Sequence, residues 1–191
     1  MRICVYGASS EEIDPKYIAA TEVLGEEMGR RAHSLVFGGG ASGLMGAAAR
    51  GMTAAGGKIL GIAPSFFDVD GVLYDKCTDF IYTETMRERK FLLEENSDAF
   101  IISPGGIGTY EEFFEVLTLK QLGRHNKPIA IFNVGGYYDD LRTLLDKAVE
   151  GKFMKACCHE LMAFFDEPKP MLDYLETCDT TRMTPEQMKY L

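Results

Sequence analysis

The sequence predicts one α/β domain built on a doubly wound, mostly parallel sheet with helices on both faces. Three observations lead there. Short apolar runs alternate with helical stretches almost to the end of the chain. The runs IAIFNV and DAFIIS are continuously apolar, as strands buried on both faces must be. Several predicted strands end in small or glycine-rich loops, GASS, GGGASG and PGGIGT, the pattern of a sheet that binds ligands beyond its carboxyl edge. No linker, repeat or low-complexity segment divides residues 1–191, so a single domain is expected.

The elements follow from local chemistry. Residues 2–6 read as a strand leading into Gly7-Ala8-Ser9-Ser10. Asp14 caps a helix with Pro15 in its first turn, running to about residue 31. Residues 35–37 form a second strand, followed by the glycine loop 38–43 and a helix over about 44–55. A third strand, 58–63, is halted by Pro64, and the less regular stretch 65–82 holds a strand near 79–82. A helix over 86–96 precedes the strand 99–103 and the loop Pro104-Gly105-Gly106-Ile107-Gly108. Helix 110–122, strand 128–133 and helix 138–150 come next, then a short strand within 161–165 and a helix over 170–177. Crossovers between the parallel strands are expected to be right-handed.

Composition narrows the function classes. Hydrophobic residues make up 46% and charged residues 26%, which marks a globular chain. A net charge of −9 argues against nucleic acid or an anionic membrane as partner, though a local pocket can still be positive. No apolar run is long enough to span a bilayer, and the first residues lack a signal-peptide layout, so a cytoplasmic location is expected. Five cysteines without CxxC spacing point to reduced thiols. His33, His125 and His159 are scattered, and the sequence calls for neither metal nor cofactor.

A glycine loop that opens a helix offers unpaired N–H groups and the positive helix end to an anion, although glycine also serves tight packing. Three such loops together are hard to explain by packing alone. Gly38, Gly40 and Gly43 match the G-x-G-x-x-G spacing of dinucleotide sites. Two details oppose that reading. The loop follows the second strand, and the next strand ends in Ala63-Pro64, where a ribose-binding carboxylate would stand. No GK[ST] exists for a Walker-type loop.

Two segments place charge where packing is expected. Thr85 and Glu88 have capping-box spacing at the start of helix 86–96. Along it Met86, Arg89, Lys90 and Leu93 share one face, with Phe91 and Leu92 forming a second apolar strip. Arg89 and Lys90 either snorkel there or form a cationic pair facing a bound anion. Thr109 and Glu112 have the same capping-box spacing, which would make Glu112 a helix cap. The spacing also sets its carboxylate at the mouth of a glycine loop, where it could steady an oxocarbenium-like ribosyl centre.

At these residues the chain resembles the LONELY GUY family of cytokinin riboside 5′-monophosphate phosphoribohydrolases, long labelled possible lysine decarboxylases. The motif PGGxGTxxE is matched by Pro104, Gly105, Gly106, Gly108, Thr109 and Glu112. Met86 with the pair Arg89-Lys90 matches a second motif, and residues 38–46 match GGGxxGLMG. The resemblance covers about residues 1–150; the last forty carry no matching motif. It implies a Rossmann-like fold, a homodimer, and hydrolysis of a nucleotide to free base and ribose 5-phosphate. It makes Arg89 and Glu112 the catalytic pair. Substrate contacts would come from Lys90, Gly105, Gly106, Ile107, Gly108, Thr109 and Thr118, with Met86 lining the site and Ser9, Gly39 and Gly40 contributed by the earlier loops. Decarboxylation would need a lysine carrying pyridoxal phosphate and its dedicated partners, for which no motif is visible. The competing reading is a non-catalytic nucleotide-sensing module.

Overall fold

The computed structural model describes residues 1–178. Seven parallel strands form one sheet: β1 (Arg2–Tyr6), β2 (Ser34–Phe37), β3 (Lys58–Pro64), β4 (Asp79–Thr83), β5 (Ala99–Ile102), β6 (Ile129–Phe132) and β7 (Ala163–Phe165). Their order is β4-β3-β2-β1-β5-β6-β7. The chain winds outward from β1 to one edge, then returns to β1's other side with β5 and winds outward again. The switch point therefore lies between β1 and β5, where open α/β sheets leave a crevice at their carboxyl edge.

Side-chain alternation along each strand divides the core into two layers. Cys4, Tyr6, Val36, Ile62, Phe100, Ile102, Ile129 and Ile131 face one side. That side is covered by α3 (Met86–Glu95), α4 (Ile107–Gln121) and α5 (Asp139–Glu150), which contribute Leu93, Phe113, Val116, Leu141 and Leu145. Ile3, Val5, Leu35, Phe37, Ile59, Ile101, Ala130 and Phe132 face the other. There they meet Leu24 and Met28 of α1 (Pro15–Arg30), Ala48 and Met52 of α2 (Gly43–Ala54), and Met171 and Leu172 of α6 (Pro168–Thr177).

The predicted elements are present, most within a residue or two of their expected bounds. Pro64 is the last residue of β3, paired with Thr83 on the edge strand β4. Asp14 caps α1 by accepting a bond from the Lys16 N–H at 3.0 Å. The largest displacement is at α4, which begins at Ile107, three residues ahead of expectation, with Gly106 as its N-cap. Phe91 also departs from the expected pattern: it lies 59% exposed, so α3 buries one apolar strip and not two. The motif-free end of the chain has a structural role. β7 completes the sheet, and Arg31 reaches Asp173 and Glu176 on α6 while His33 contacts Glu176 at 2.8 Å.

Candidate active site

The loops after β1, β2 and β5 meet at the carboxyl edge of the sheet, tied by one residue. Ala8 donates its N–H to the Pro104 carbonyl at 3.0 Å, and its own carbonyl accepts the Leu44 N–H at 2.8 Å. This crossing requires glycine at position 43. Its φ is +59°, and a side chain there would strike the Ala8 carbonyl oxygen. The loops enclose a cavity of about 520 Å³ lined by Ser9, Met45, Met86, Arg89, Gly108 and Glu112, among others. A second cavity of about 390 Å³ adjoins it, sharing Ser9, Met45, Phe67 and Arg89.

At the floor stands an ion pair. Arg89 Nη1 donates to Glu112 Oε1 at 3.1 Å, and Arg89 Nε donates to the Ile62 carbonyl at 3.3 Å. Both side chains are largely buried, at 8% and 13% exposure. Burial pushes the Glu112 carboxyl up to about 7, against the opposing pull of the Arg89 cation. Burial thus brings the titration of Glu112 towards neutral pH. Such a position suits a group that must accept or release a proton.

Glu112 makes no capping box. With α4 starting at Ile107, Thr109 sits inside the first turn and no side chain caps the helix. The first backbone N–H groups of α4 have no intrahelical acceptor, and Gly106, Ile107, Gly108 and Thr109 all line the larger cavity. The space in front of Gly106 and Gly108 is open. A helix N-terminus so exposed is a ready anion site, lining the same cavity as the arginine–carboxylate pair.

The residues singled out from the sequence fall into three groups. Ser9, Met86, Arg89, Lys90, Gly106, Ile107, Gly108, Thr109 and Glu112 come together around the larger cavity, and Gly40 lines the adjoining one. Gly105 packs against the Thr109 side chain, and Gly39 faces Phe80 and Leu73, so neither lines a cavity. Thr118 is exposed on α4, roughly 16 Å along the helix from Ile107 at 1.5 Å per residue. Lys90 is engaged: its Nζ lies 2.5 Å from Glu111 and 2.8 Å from Glu115. Those carboxylates raise the lysine above its ordinary range, although burial opposes them.

Other contributors left no signal in the sequence. The segment after β3 folds back on the second glycine loop: Ala41 N–H donates to Val72 and Tyr74 N–H to Gly39, bringing Phe67 and Leu73 to the second cavity. Beyond β6, tandem glycines 135 and 136, both at positive φ, turn the chain so that two tyrosines reach the third loop. The Tyr137 hydroxyl donates to the Gly105 carbonyl and the Tyr138 hydroxyl to the Ser103 carbonyl, each at 2.7 Å.

Fold and site together define a Rossmann-like protein with an anion-receptive helix start set against a buried arginine–carboxylate pair. Comparison with known proteins agrees on the fold and gives the family. A family profile described as "Possible lysine decarboxylase" matches residues 45–175. Cytokinin riboside 5′-monophosphate phosphoribohydrolase LOG5 of Arabidopsis thaliana is 38% identical over 175 residues, covering 92% of this chain and 77% of the relative. LOG2 of the same plant is 37% identical, covering 92% and 82%; the probable phosphoribohydrolase LOGL6 of Oryza sativa subsp. japonica is 37% identical, covering 92% and 70%. The chain belongs to this LONELY GUY family. In fold it is also similar to the molybdenum cofactor binding protein of Rippkaea orientalis, with TM-score 0.69 at 19% identity, covering 92% of this chain and 94% of that one. The Moco carrier protein of Chlamydomonas reinhardtii matches likewise, with TM-score 0.69 at 20% identity and the same coverages.

Proposed function

We propose that this protein hydrolyses the N-glycosidic bond of a nucleoside 5′-monophosphate, releasing the free base and ribose 5-phosphate. The observation that carries the reading is that the buried Arg89–Glu112 pair and the uncapped start of α4 line one cavity. The named activity of the family's curated members supports it. The phosphate takes the N–H groups of Ile107, Gly108 and Thr109, which fixes the ribose over Glu112. As the bond from C1′ to the base nitrogen breaks, its electrons leave with the base and C1′ gains oxocarbenium character. The Glu112 carboxylate steadies that charge, then accepts a proton from the attacking water, whose hydroxyl adds to C1′. A proton from solvent completes the departing base. Arg89 holds Glu112 in place and keeps part of it ionised.

Lysine decarboxylation fits these residues poorly. A Schiff-base lysine must be available as the free amine, whereas Lys90 is held as ammonium by two carboxylates. Lys90 contributes to the site's electrostatics and would contact phosphate only by leaving Glu111 and Glu115.

Homodimerisation in the cytoplasm is part of the same reading. Ile107 and Phe114 on α4 and Phe91 on α3 are exposed apolar side chains, surface suited to a second copy.

The test is base release by purified protein from AMP and from its N6-isoprenyl analogue, with adenosine as comparison. Phosphate-dependent cleavage is expected, with adenosine turned over at least about 100-fold more slowly, since charge-assisted contacts contribute roughly 1.5–3 kcal/mol each. Binding of AMP without any base release would make the protein a nucleotide sensor. The ratio of the two nucleotides decides which base it serves.

A further inference from the structure

We propose that Gly38 is a positioning residue for the reaction: its missing side chain leaves the space in which the Arg89 guanidinium lies against Glu112. This rests on the hydrolase reading above. Gly38 follows the last residue of β2, one strand away from β3, whose Ile62 carbonyl accepts the Arg89 Nε–H. A methyl carbon at position 38 would stand 2.0 Å from Arg89 Nη2 and 3.1 Å from its Cζ. Both lie well inside contact distance, so one partner must move.

The backbone at Gly38 is not in the left-handed region, so alanine suits its conformation and the whole effect falls on the contact. Arginine side chains elsewhere swing away from such an intrusion. This one is buried, with Nε on Ile62 and Nη1 on Glu112, and Met45 Sδ lies 3.4 Å from the same added carbon. Moving the guanidinium breaks one or both of its bonds and separates the cation from the carboxylate. The first glycine of the dinucleotide-like G-x-G-x-x-G thus serves an arginine fifty-one residues further along the chain. A motif in one loop and a charged pair on α3 are one structural unit.

The experiment compares wild type, Gly38→Ala, Arg89→Ala and the double variant by steady-state base release and thermal melting. For Gly38→Ala, kcat is expected to fall about 100-fold, the effect of misplacing a catalytic group by an ångström, while KM changes little because α4's N-terminus is untouched. The acid limb of its kcat/KM profile should move to higher pH, as Glu112 loses its nearby cation. In melts, Gly38→Ala should lower Tm in wild type and not in the Arg89→Ala background, where the obstructing group is gone. Should Gly38→Ala fail to fold, a double variant that folds supports the proposal equally, because removing the guanidinium has then rescued the added methyl. A kcat within about twofold of wild type would overturn the proposal. So would an equal Tm loss in both backgrounds, or a double variant that also fails to fold. If wild type releases no base from either nucleotide, the proposed function fails, and the melting cycle still decides the Gly38–Arg89 contact.

Discussion

Two helices in this molecule begin with the same pattern, threonine followed three residues later by glutamate, and the pattern does opposite things. At α3, Thr85 caps the helix, accepting the Glu88 N–H at 3.1 Å, and Glu88 Oε2 accepts the Glu84 N–H at 2.9 Å. That start is closed by its own side chains. At α4, Thr109 and Glu112 have been drawn into the helix because Gly106 takes the N-cap position and the turn begins on Ile107. The start is left open, and the glutamate faces an arginine on the closed helix. A capping box satisfies backbone groups that a ligand would otherwise use. Spacing alone cannot say which outcome applies; the glycines upstream decide it.

The contrast can be broken most directly at Glu112. If its charge takes no part in the reaction, Glu112→Gln leaves turnover intact. If its charge steadies the ribosyl centre, turnover falls about 10²–10³-fold while AMP still binds. Single-turnover base release beside a binding titration separates these outcomes, with the large loss expected. Arg89→Ala should lose turnover to a similar degree and strand a buried carboxylate.

A pH profile gives the next largest effect. With the Glu112 carboxyl at about 7, kcat/KM should rise with pH and level off above that value if the ionised form reacts. Stability carries the opposite sign. A carboxyl raised from 4.5 to about 7 by burial favours the fold most at low pH, and that contribution is lost as pH rises through 7. Glu112→Gln should therefore gain in Tm relative to wild type between pH 5 and pH 8. A constant difference across that range would place the Glu112 titration elsewhere.

The closed helix yields smaller numbers. Thr85→Ala should cost about 1 kcal/mol in denaturant unfolding, the usual cost of a lost N-cap. Glu88→Ala, which removes an exposed bond to Glu84, should cost about 0.5 kcal/mol and leave turnover unchanged. A turnover loss in Glu88→Ala as large as in Glu112→Gln would erase the distinction between the two starts.

The sheet was legible because its strands are uninterrupted apolar runs punctuated by glycine and proline, signals local to each element. The arginine–carboxylate pair was half legible. Charge on the buried strip of α3 and glutamate after a glycine loop marked both residues, and the motifs matched a family. What stayed hidden depends on how elements pack. The start of α4 shifted because a sequence reading discounts glycine in a first turn, where an anion-receptive loop requires it. Lys90 read as a free cation until α4 brought Glu111 and Glu115 against it. Gly38 matched only a dinucleotide spacing that the neighbouring residues opposed, and nothing in its loop reveals a guanidinium arriving from α3.

The two hydroxyls from Tyr137 and Tyr138 bear on what happens before any substrate arrives. Each occupies a carbonyl of the third glycine loop, at Gly105 and Ser103. In a trans peptide the N–H points opposite to the carbonyl, so anchoring the Gly105 oxygen also fixes the direction of the Gly106 N–H. Glycine peptides are prone to rotate, and a rotated one would turn a carbonyl dipole towards an incoming phosphate. Tyr137 acts as a latch against that rotation, while Tyr138 pins the Ser103 carbonyl just ahead of the loop. Such a loop meets its anion already in shape, so little ordering remains to be done on binding, and affinity is not diluted by misfitting loop states.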